Sequence, residues 1–560
     1  MAEPGFLDRA RLMHGPWQAF ERDVARLMLA NGFVEVRLVG GSGDHGADVL
    51  GVKDGELWVF QCKHTTTSSP PKKAVAEVVA AATYYGAQRT VVAVSRAPGQ
   101  AFYDEVRRHA RQGLDVVIAA PDALLQLMED TPEYPPARRH LHDYQLEAAA
   151  SLREALVDAG RGQIVLATGL GKTVVMAEVV ADLFRDGLVE HSRALVLAHT
   201  RDLVEQLHRA FWFQLPKWLR TEHMAGAEEP KLWDGLVFAT VQSVASRLEH
   251  LPPFGLVVVD EAHHIGAATF QRVVEALQPR MLAGATATPW RGDGFDIDRT
   301  LGPPVVEYGI SEGLKRGFLC EVDYRLCADN IDWDVVQQAS AHKYSLSQLN
   351  RRLIIPTRDE QAARSIREVF DAEKRRAGIV FCPSLVHARE MAAILRQYDF
   401  RAEAIGGDLE PRSREVLMSR FRGGELDIMT SVDLFNEGVD VPDVDLIVFM
   451  RATHSRRIFV QQLGRGLRTS ARKDNVVVLD FVTDLRRVAE VIALDKASTG
   501  GPVERLGLGG RLIEFRDASA GNFMREWMLD QASLILREGD PELELPRFDY
   551  PEPHPPGGVQ

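Results

Sequence analysis

The sequence has few cysteines and no long apolar segment. Only four cysteines occur among the 560 residues, and none of them forms the Cys-x-x-Cys spacing of zinc sites and disulfide frameworks. No apolar run reaches the length of about 20 residues that a membrane-spanning helix needs. The N-terminal region also lacks the apolar stretch of a signal peptide. We therefore expect a cytoplasmic protein with no membrane partner.

A surplus of positive charge is absent as well. Lysine and arginine number 66 against 79 acidic residues, which gives a net charge of −13. This balance excludes a uniformly basic surface for nucleic acid, but it leaves room for local basic grooves, because recognition depends on where the charge lies. The hydrophobic fraction of 45% and the charged fraction of 26% are typical of globular proteins. The length suffices for three or four domains.

The most informative segment is glycine-rich and covers residues 167–173. It follows an apolar run that ends at Leu166 and precedes a helical pattern, which is the context of a phosphate-binding loop. Glycines let backbone N–H groups surround phosphate oxygens at a helix N-terminus. Lys172 would reach the β- and γ-phosphates, and the Thr173 hydroxyl would hold Mg²⁺. The expected nucleotide contacts are Thr168, Gly169, Leu170, Gly171, Lys172 and Thr173.

A second pattern, near the N-terminus, predicts a hairpin. Asp54-Gly55 lies between two apolar runs, and a turn at this dipeptide places Asp48 opposite Gln61. Alternate side chains of a strand share a face, so Gln61 and Lys63 point the same way. A carboxylate, an amide oxygen and a lysine thus converge beside a glycine-rich loop. Mg²⁺-dependent phosphodiester cleavage needs such a set of groups.

This arrangement resembles the Mrr-like branch of the PD-(D/E)xK restriction endonucleases, in which an aspartate is followed by Gln-x-Lys. Asp48, Gln61 and Lys63 match that motif. Glu21, in a predicted helix over residues 17–31, stands where the family often carries a further acid. The resemblance implies catalytic roles for these four residues, with Asp48 and Gln61 as metal ligands. An alternative stays open, namely a degenerate module that binds DNA without cutting it. The other elements predicted for this domain are a helix over 72–86 and strands over 90–95 and 116–119.

Two blocks of alternating strands and helices follow and predict two parallel-sheet α/β domains. In the first block, an apolar strand over 256–259 ends at Asp260-Glu261-Ala262-His263. Ligands of open α/β sheets bind at such carboxyl ends. Asp260 would hold Mg²⁺, and Glu261 would orient and deprotonate the attacking water. In the second block, Arg465 and Arg468 lie one helical turn apart and could both face the γ-phosphate.

The phosphate loop, the Asp-Glu-Ala-His box, Thr286-Ala287-Thr288 and the Gln-x-x-Gly-Arg-x-x-Arg pattern occur in the order of superfamily 2 DNA motors. Over roughly residues 140–490 the chain resembles the type I/III restriction and XPB-like group of these motors. The resemblance implies that ATP is the cofactor and that Gln145 reads adenine, although His142 stands where the family commonly has arginine. It also implies that Gly438 and Asp440 meet the nucleotide from the second lobe.

Candidate contacts to a DNA strand follow several of the predicted strands. They are Thr200, Arg201, residues 240–243 and Thr430. Hydroxyls and backbone amides at such positions can hold phosphates without reading the base sequence. Each of these residues can equally cap a helix, and the sequence leaves both interpretations open.

The motifs together predict an α/β protein with an N-terminal restriction-endonuclease-like α/β domain followed by two RecA-like parallel-sheet domains. The expected boundaries are 1–130 for the nuclease domain, 131–140 for a linker, 141–305 for the ATP-binding domain, 306–370 for a connecting segment, 371–490 for the second RecA-like domain, 491–540 for an extension and 541–560 for a proline-rich tail.

The expected function is an ATP-dependent DNA helicase or translocase fused to a Mg²⁺-dependent endonuclease, acting in bacterial defence or DNA repair. Other defence or repair proteins are candidate partners. Two alternatives stay open. One is a repair helicase whose N-terminal module only binds DNA, and the other is an ATP-gated sensor that clamps DNA without unwinding it.

Overall fold

The computed structural model describes residues 5–39, 46–66, 68–226, 228–287, 296–327, 343–344, 359–409, 411–432, 444–450, 473, 475–481, 513–514 and 543–544. The chain forms two compact units, Met1–Gly309 and Ile310–Gln560. Within the described ranges, no helix combines the length and the apolarity that crossing a bilayer requires.

The N-terminal unit begins with a mixed five-stranded sheet whose spatial order equals its chain order. Its strands are β1 (Val34–Leu38), β2 (Val49–Lys53), β3 (Glu56–Lys63), β4 (Arg89–Val94) and β5 (Val116–Ala119). The first three strands are antiparallel, and β3, β4 and β5 run parallel. The accompanying helices are α1 (Arg9–His14), α2 (Trp17–Ala30), α3 (Lys73–Tyr85), α4 (Gln100–Ala110) and α5 (Pro121–Asp130).

The hairpin between β2 and β3 has the predicted turn and register. Asp54 and Gly55 have φ values of 54° and 79°, as a two-residue turn with two left-handed positions requires. Val49 pairs with Phe60, which places Asp48 next to Gln61 across the two strands. The sheet is covered on both faces. On one face Phe60 packs in a core with α2, and on the other face Val59 packs in a core with α3.

The second sheet of the N-terminal unit has seven parallel strands. They are β6 (Arg161–Leu166), β7 (Arg193–Ala198), β8 (Thr221–Met224), β9 (Gly235–Thr240), β10 (Leu256–Asp260), β11 (Met281–Thr286) and β12 (Pro304–Tyr308). Their spatial order is β12-β6-β11-β10-β7-β9-β8. The helices are α6 (Asp143–Ala159), α7 (Lys172–Arg185), α8 (Arg201–Trp212), α9 (Val241–Ala245), α10 (Ala268–Leu277) and α11 (Asp298–Leu301).

Strands β6, β11 and β10 are neighbours at the centre of this sheet. Their side chains are almost all buried, as expected for parallel strands that are covered by helices on both faces. Because the strands are parallel, their carboxyl ends meet at one edge. The phosphate loop follows β6, the Asp-Glu-Ala-His box follows β10, and Thr286 ends β11. The fold therefore brings three separate sequence motifs to one place.

The C-terminal unit contains a second seven-stranded parallel sheet, in the order β16-β17-β15-β18-β19-β13-β20. Its strands are β13 (Glu321–Cys327), β15 (Gly378–Phe381), β16 (Ala402–Ile405), β17 (Ile428–Ser431), β18 (Leu446–Phe449), β19 (Asn475–Asp480) and β20 (Ile513–Glu514), and a separate antiparallel pair joins β14 (Lys343–Tyr344) to β21 (Leu543–Glu544). The helices are α12 (Ile310–Lys315), α13 (Asp359–Ala372), α14 (Leu385–Gln397) and α15 (Pro411–Arg422). One mixed sheet and two parallel sheets confirm the predicted fold class.

Candidate nucleotide and nuclease sites

The phosphate loop joins the end of β6 at Leu166 to the start of α7 at Lys172. Two of its glycines have left-handed backbone conformations, with φ values of 97° at Gly169 and 82° at Gly171. A Cβ atom at position 171 would also collide with Nε2 of Gln145. The backbone conformation at position 171 therefore favours glycine, and a side chain there would also displace the amide of Gln145.

Gln145 holds the phosphate loop in place. Its Nε2 donates a hydrogen bond of 2.9 Å to the carbonyl oxygen of Leu170, and its Oε1 accepts one of 3.0 Å from the backbone N–H of His142. The Tyr144 hydroxyl donates to the same Leu170 oxygen at 3.3 Å. The amide of Gln145 thus links the start of α6 to the loop. Its role as an adenine reader stays a prediction.

Lys172, Asp260 and Glu261 converge at the carboxyl edge of the sheet. The Nζ atom of Lys172 lies 3.7 Å from Oε1 of Glu261. Glu261 has φ 48° and ψ 55°, a left-handed conformation that costs a non-glycine residue on the order of 1 kcal/mol or more and is typical of functional sites. This turn directs the Glu261 carboxylate towards the phosphate loop.

Asp260, which precedes Glu261 in the chain, has the properties of a metal ligand. Burial raises the pKa of Asp260 to about 7, the charge of Glu261 adds to this rise, and Lys172 opposes it. A divalent cation stabilises a buried carboxylate in its charged form, which offsets the cost of burial. Thr173 lies in the first turn of α7, where its hydroxyl is available as a further oxygen ligand. Asp260 and Thr173 could therefore hold a divalent metal ion.

His263 links the Asp-Glu-Ala-His box to the next strand. Its Nδ1 lies 3.0 Å from Oγ1 of Thr286 and 3.3 Å from Oε2 of Glu261, and its ring is buried. The sequence motifs include Thr286 in the Thr-Ala-Thr segment, but they predict no role for His263. Its position two residues after Glu261, at a strand end, was the available signal.

In the first sheet, Asp48 and Gln61 form a buried pair. The Asp48 carboxylate accepts hydrogen bonds from Nε2 of Gln61 and, at 2.6 Å, from the backbone N–H of Cys62. Gln61 is only 2% exposed, and its Oε1 is buried without a hydrogen-bond partner among the described residues. An unsatisfied amide oxygen beside a carboxylate fits a hard cation such as Mg²⁺.

Lys63 has an acidic partner that the sequence did not reveal. Its Nζ lies 3.1 Å from Oε2 of Glu77 on α3, and Nζ of Lys73 lies 3.2 Å from the other oxygen of Glu77. At Gly46, with φ 88°, a Cβ atom would collide with the backbone of Glu77, so the chain before Asp48 approaches α3 closely. The spacing of Lys73 and Glu77 was visible on the predicted helix, but the pairing with Lys63 depends on tertiary packing.

Glu21 lies on α2, which covers the face of the sheet opposite to the side chains of Gln61 and Lys63. It is half-buried on α2, whose apolar side chains pack in one core with Phe60 and Cys62. Burial raises the pKa of the Cys62 thiol well above its usual value, Asp48 and Glu21 raise it further, and Lys63 lowers it. All three charged groups therefore act on the same thiol.

The remaining candidates are metal-binding clusters, the DNA-strand contacts and the nucleotide contacts of the second lobe. Among the described residues, no group of three or more His, Cys, Asp or Glu side chains is arranged to hold a metal ion. Thr200 and Thr240 cap α8 and α9, and the buried Thr430 hydroxyl donates to the carbonyl oxygen of Ala388 at 2.6 Å. These hydroxyls thus have internal partners. The predicted nucleotide contacts of the second lobe lie outside the described residues, namely Gly438, Asp440, Arg465 and Arg468.

Comparison with protein families gives three matches along the chain. Residues 12–128 match the family described as restriction endonuclease. Residues 138–291 match the type III restriction enzyme res subunit, and residues 361–470 match the helicase conserved C-terminal domain. These matches confirm the resemblances inferred from the motifs, in the predicted order.

Among curated relatives, the putative ATP-dependent helicase IRC3 of Saccharomyces cerevisiae is 24% identical over 395 residues, which cover 68% of this chain and 55% of that protein. The chain thus spans little more than half the length of this relative. The DNA 3'-5' translocase XPB2 of Sulfurisphaera tokodaii is 26% identical over 382 residues, covering 61% of this chain and 81% of that protein.

A solved structure supports the fold. It is the ATP-dependent Type ISP restriction-modification enzyme LlaBIII bound to DNA, with a TM-score of 0.52 and 16% sequence identity. The similarity covers 92% of this chain and 41% of that one. At this level of identity the likeness concerns the fold alone.

Proposed function

We propose that this chain, which joins a restriction-endonuclease domain to the two lobes of a superfamily 2 helicase, is an ATP-dependent DNA translocase that also cuts DNA in a Mg²⁺-dependent reaction. Its role is in bacterial defence or DNA repair. We assign residues 1–130 to the nuclease, 141–305 to the first motor lobe and 371–490 to the second lobe. The matched family ranges support this order.

One observation carries the motor part of the proposal. Lys172, Asp260 and Glu261 meet at the carboxyl edge of a seven-stranded parallel sheet, with Nζ of Lys172 3.7 Å from Oε1 of Glu261. Lys172 binds the terminal phosphates, and Glu261 orients the attacking water and accepts its proton. Asp260 and Thr173 would hold a Mg²⁺ ion, which would supply charge neutralisation at the phosphates.

Contact between His263 and Thr286 gives the motor a route from the nucleotide to the rest of the lobe. Glu261 and Thr286 both lie within 3.3 Å of Nδ1 of His263. A shift of Glu261 would therefore move His263 and, through it, Thr286 at the end of β11. We assign Arg465 and Arg468 to the stabilisation of charge on the γ-phosphate, and Gly438 and Asp440 to contacts with the nucleotide.

The nuclease part rests on the pairing of Asp48 with Gln61. Asp48 and Oε1 of Gln61, which has no hydrogen-bond partner among the described residues, would supply the oxygen atoms for Mg²⁺. Lys63 is held in place by its ion pair with Glu77, and it contacts the phosphodiester during cleavage. Glu21 is the further acid of this site.

Cleavage assays test the proposal. Purified protein is incubated with Mg²⁺ and with methylated or unmethylated, linear or circular DNA, in the presence and absence of ATP. We expect cleavage that depends on Mg²⁺ and DNA-stimulated ATP hydrolysis. If the wild-type protein cuts none of these substrates, the N-terminal domain is a module that binds DNA without cutting it.

A further inference from the structure

Helix α1 of the nuclease domain is tied to strand β8 of the first motor lobe by a buried arginine. Nε of Arg11 donates to Oδ2 of Asp23 on α2 at 2.5 Å, and Nη2 donates to the carbonyl oxygen of Thr221 at 2.8 Å. Its Nη1 donates to the Glu222 carboxylate. The guanidinium therefore connects two nuclease helices to the edge strand of the motor sheet. Such a desolvated arginine needs all of these partners.

A second arginine, on α2, binds backbone carbonyls of the motor lobe. Nη1 of Arg26 donates to the oxygen of Leu219 at 2.8 Å, and Nη2 donates to that of Pro216 at 3.1 Å. The Arg26 guanidinium also lies 4.1 Å from the centre of the Phe6 ring. Trp212 of the motor lobe packs in the same apolar core as the nuclease helices.

The third contact is an ion pair between Arg22 on α2 and Glu228 in the segment that follows β8. The two side chains pair in a bidentate manner, and the Glu228 side chain is only 5% exposed. Oε2 of Glu228 also lies 3.2 Å from Nδ1 of the buried His223. A buried bidentate pair fixes both position and orientation more strictly than a surface pair does.

Arg22 directly follows Glu21. Helix α2 thus packs on one side against the sheet that carries Asp48, and its arginines bind the motor lobe on another side. We propose that Glu228 is a positioning residue for the nuclease site: through Arg22 it fixes α2, and so holds Glu21 in the arrangement that cleavage requires. This inference rests on the proposed nuclease function.

The arrangement makes the first motor lobe a structural part of the nuclease site. It acts through a contact that is present without ATP hydrolysis, so it differs from coupling by translocation. A variant in the motor lobe should therefore impair cleavage while the nucleotide site stays intact. The change Glu228→Gln removes the charge and keeps the size of the side chain.

The matched control is Glu229→Gln. Glu229 lies in the same segment, but its side chain is 52% exposed and it pairs with Arg247 of the motor lobe itself, at 2.5 Å. Amide hydrogen exchange along α2, steady-state cleavage at varied DNA concentration and DNA-stimulated ATP hydrolysis are measured for both variants. For Glu228→Gln we expect exchange in α2 to rise about tenfold or more. Cleavage should slow about tenfold through kcat, with KM for DNA and ATP hydrolysis within about twofold of wild type.

A charge exchange separates positioning from general damage. The double variant Arg22→Glu with Glu228→Arg should recover protection of α2 and part of the cleavage rate, and Arg22→Lys should lie between the wild type and Glu228→Gln. If Glu228→Gln fails to fold, these two variants carry the test.

Three results would overturn the proposal. They are unchanged exchange in α2, an equal rise in Glu229→Gln, or faster exchange with normal cleavage. A wild type that cuts no DNA would refute the proposed nuclease function instead, and the exchange data would then decide by themselves whether Glu228 holds α2.

Discussion

Nζ of Lys172 lies 3.7 Å from Oε1 of Glu261, so the lysine of the phosphate loop pairs with the second acid of the Asp-Glu-Ala-His box. The two residues are far apart in the sequence and belong to different βα turns of one sheet. Each is proposed to act on the same phosphate group, one through its charge and the other through the attacking water.

The first prediction concerns this pair. Lys172→Ala and Glu261→Gln should each reduce DNA-stimulated ATP hydrolysis about a hundredfold or more, because each removes a group that stabilises the transition state. Phosphate release measures the effect. Arg153→Ala, which removes only an exposed ion pair with Asp186, is the control and should keep the wild-type rate. Normal turnover in both site variants would refute the motor assignment.

The second prediction separates backbone strain from lack of space in the phosphate loop. Gly171→Ala should lower both nucleotide affinity and thermal stability, since the new Cβ collides with Nε2 of Gln145. Gly187→Ala carries a similar strain, with φ 68°, but its Cβ would meet no atom within 4 Å. We expect it to lose about 1 kcal/mol of stability with unchanged nucleotide affinity. Calorimetry and nucleotide titration measure both variants, and equal losses of affinity would contradict the role of the Gln145 contact.

The third prediction concerns the nuclease site. Asp48→Ala should abolish Mg²⁺-dependent cleavage, and Lys63→Ala should reduce it about a hundredfold or more, with ATP hydrolysis unaffected in both. Glu77→Gln should have a smaller effect than Lys63→Ala, because Lys63 remains and loses only its partner. Cleavage and phosphate release are followed on the same samples. Cleavage by Asp48→Ala at the wild-type rate would show that Asp48 is not a ligand of the catalytic metal.

The fourth prediction is a pH dependence of stability. Burial alone would raise the pKa of Glu228, but the hydrogen bond from His223 and the charge of Arg22 outweigh burial and lower the pKa. A carboxylate whose pKa falls on folding stabilises the protein above its unfolded pKa of about 4.3. That contribution is lost as the pH falls through the lower folded pKa.

Thermal unfolding of wild type and Glu228→Gln between about pH 3 and pH 7 tests this sign. The wild type should be the more stable protein above about pH 5, and the difference should shrink as the pH falls below about 4. A difference that grows on acidification would contradict the ion pair. Glu229→Gln, with its exposed side chain, should show little difference from the wild type at any pH.

The fifth prediction follows from the contact between the nuclease domain and the first motor lobe. Removal of residues 1–136 would expose Trp212 and leave Glu222 and Glu228 without their arginines. We expect Tm to drop by about 5 °C or more, because the apolar packing around Trp212 and the ion pairs of Glu222 and Glu228 are both lost. The phosphate loop and Asp260 lie outside the removed part, so the protein that remains folded should still hydrolyse ATP. An unchanged Tm would show that the contact adds no stability.

The sequence by itself determined the local structures. The Asp54-Gly55 turn set the register of the β2–β3 hairpin, because only a few residue types accept two left-handed positions in succession. The glycines of the phosphate loop and the apolar strand that ends at Asp260 were equally readable, since their conformations depend on near neighbours in the chain. The fold class follows from the same alternation of strands and helices.

The tertiary structure alone decided which charged residues meet. Arg22 and Glu228 are 206 positions apart, and each by itself resembles an ordinary exposed residue on a helix or a loop. The ion pair of Lys63 with Glu77 and the hydrogen bond of Gln145 to Leu170 have the same character. Such contacts arise only when separate elements pack together, and no local pattern marks them, because charged and amide side chains rarely need a protein partner until burial takes their water away.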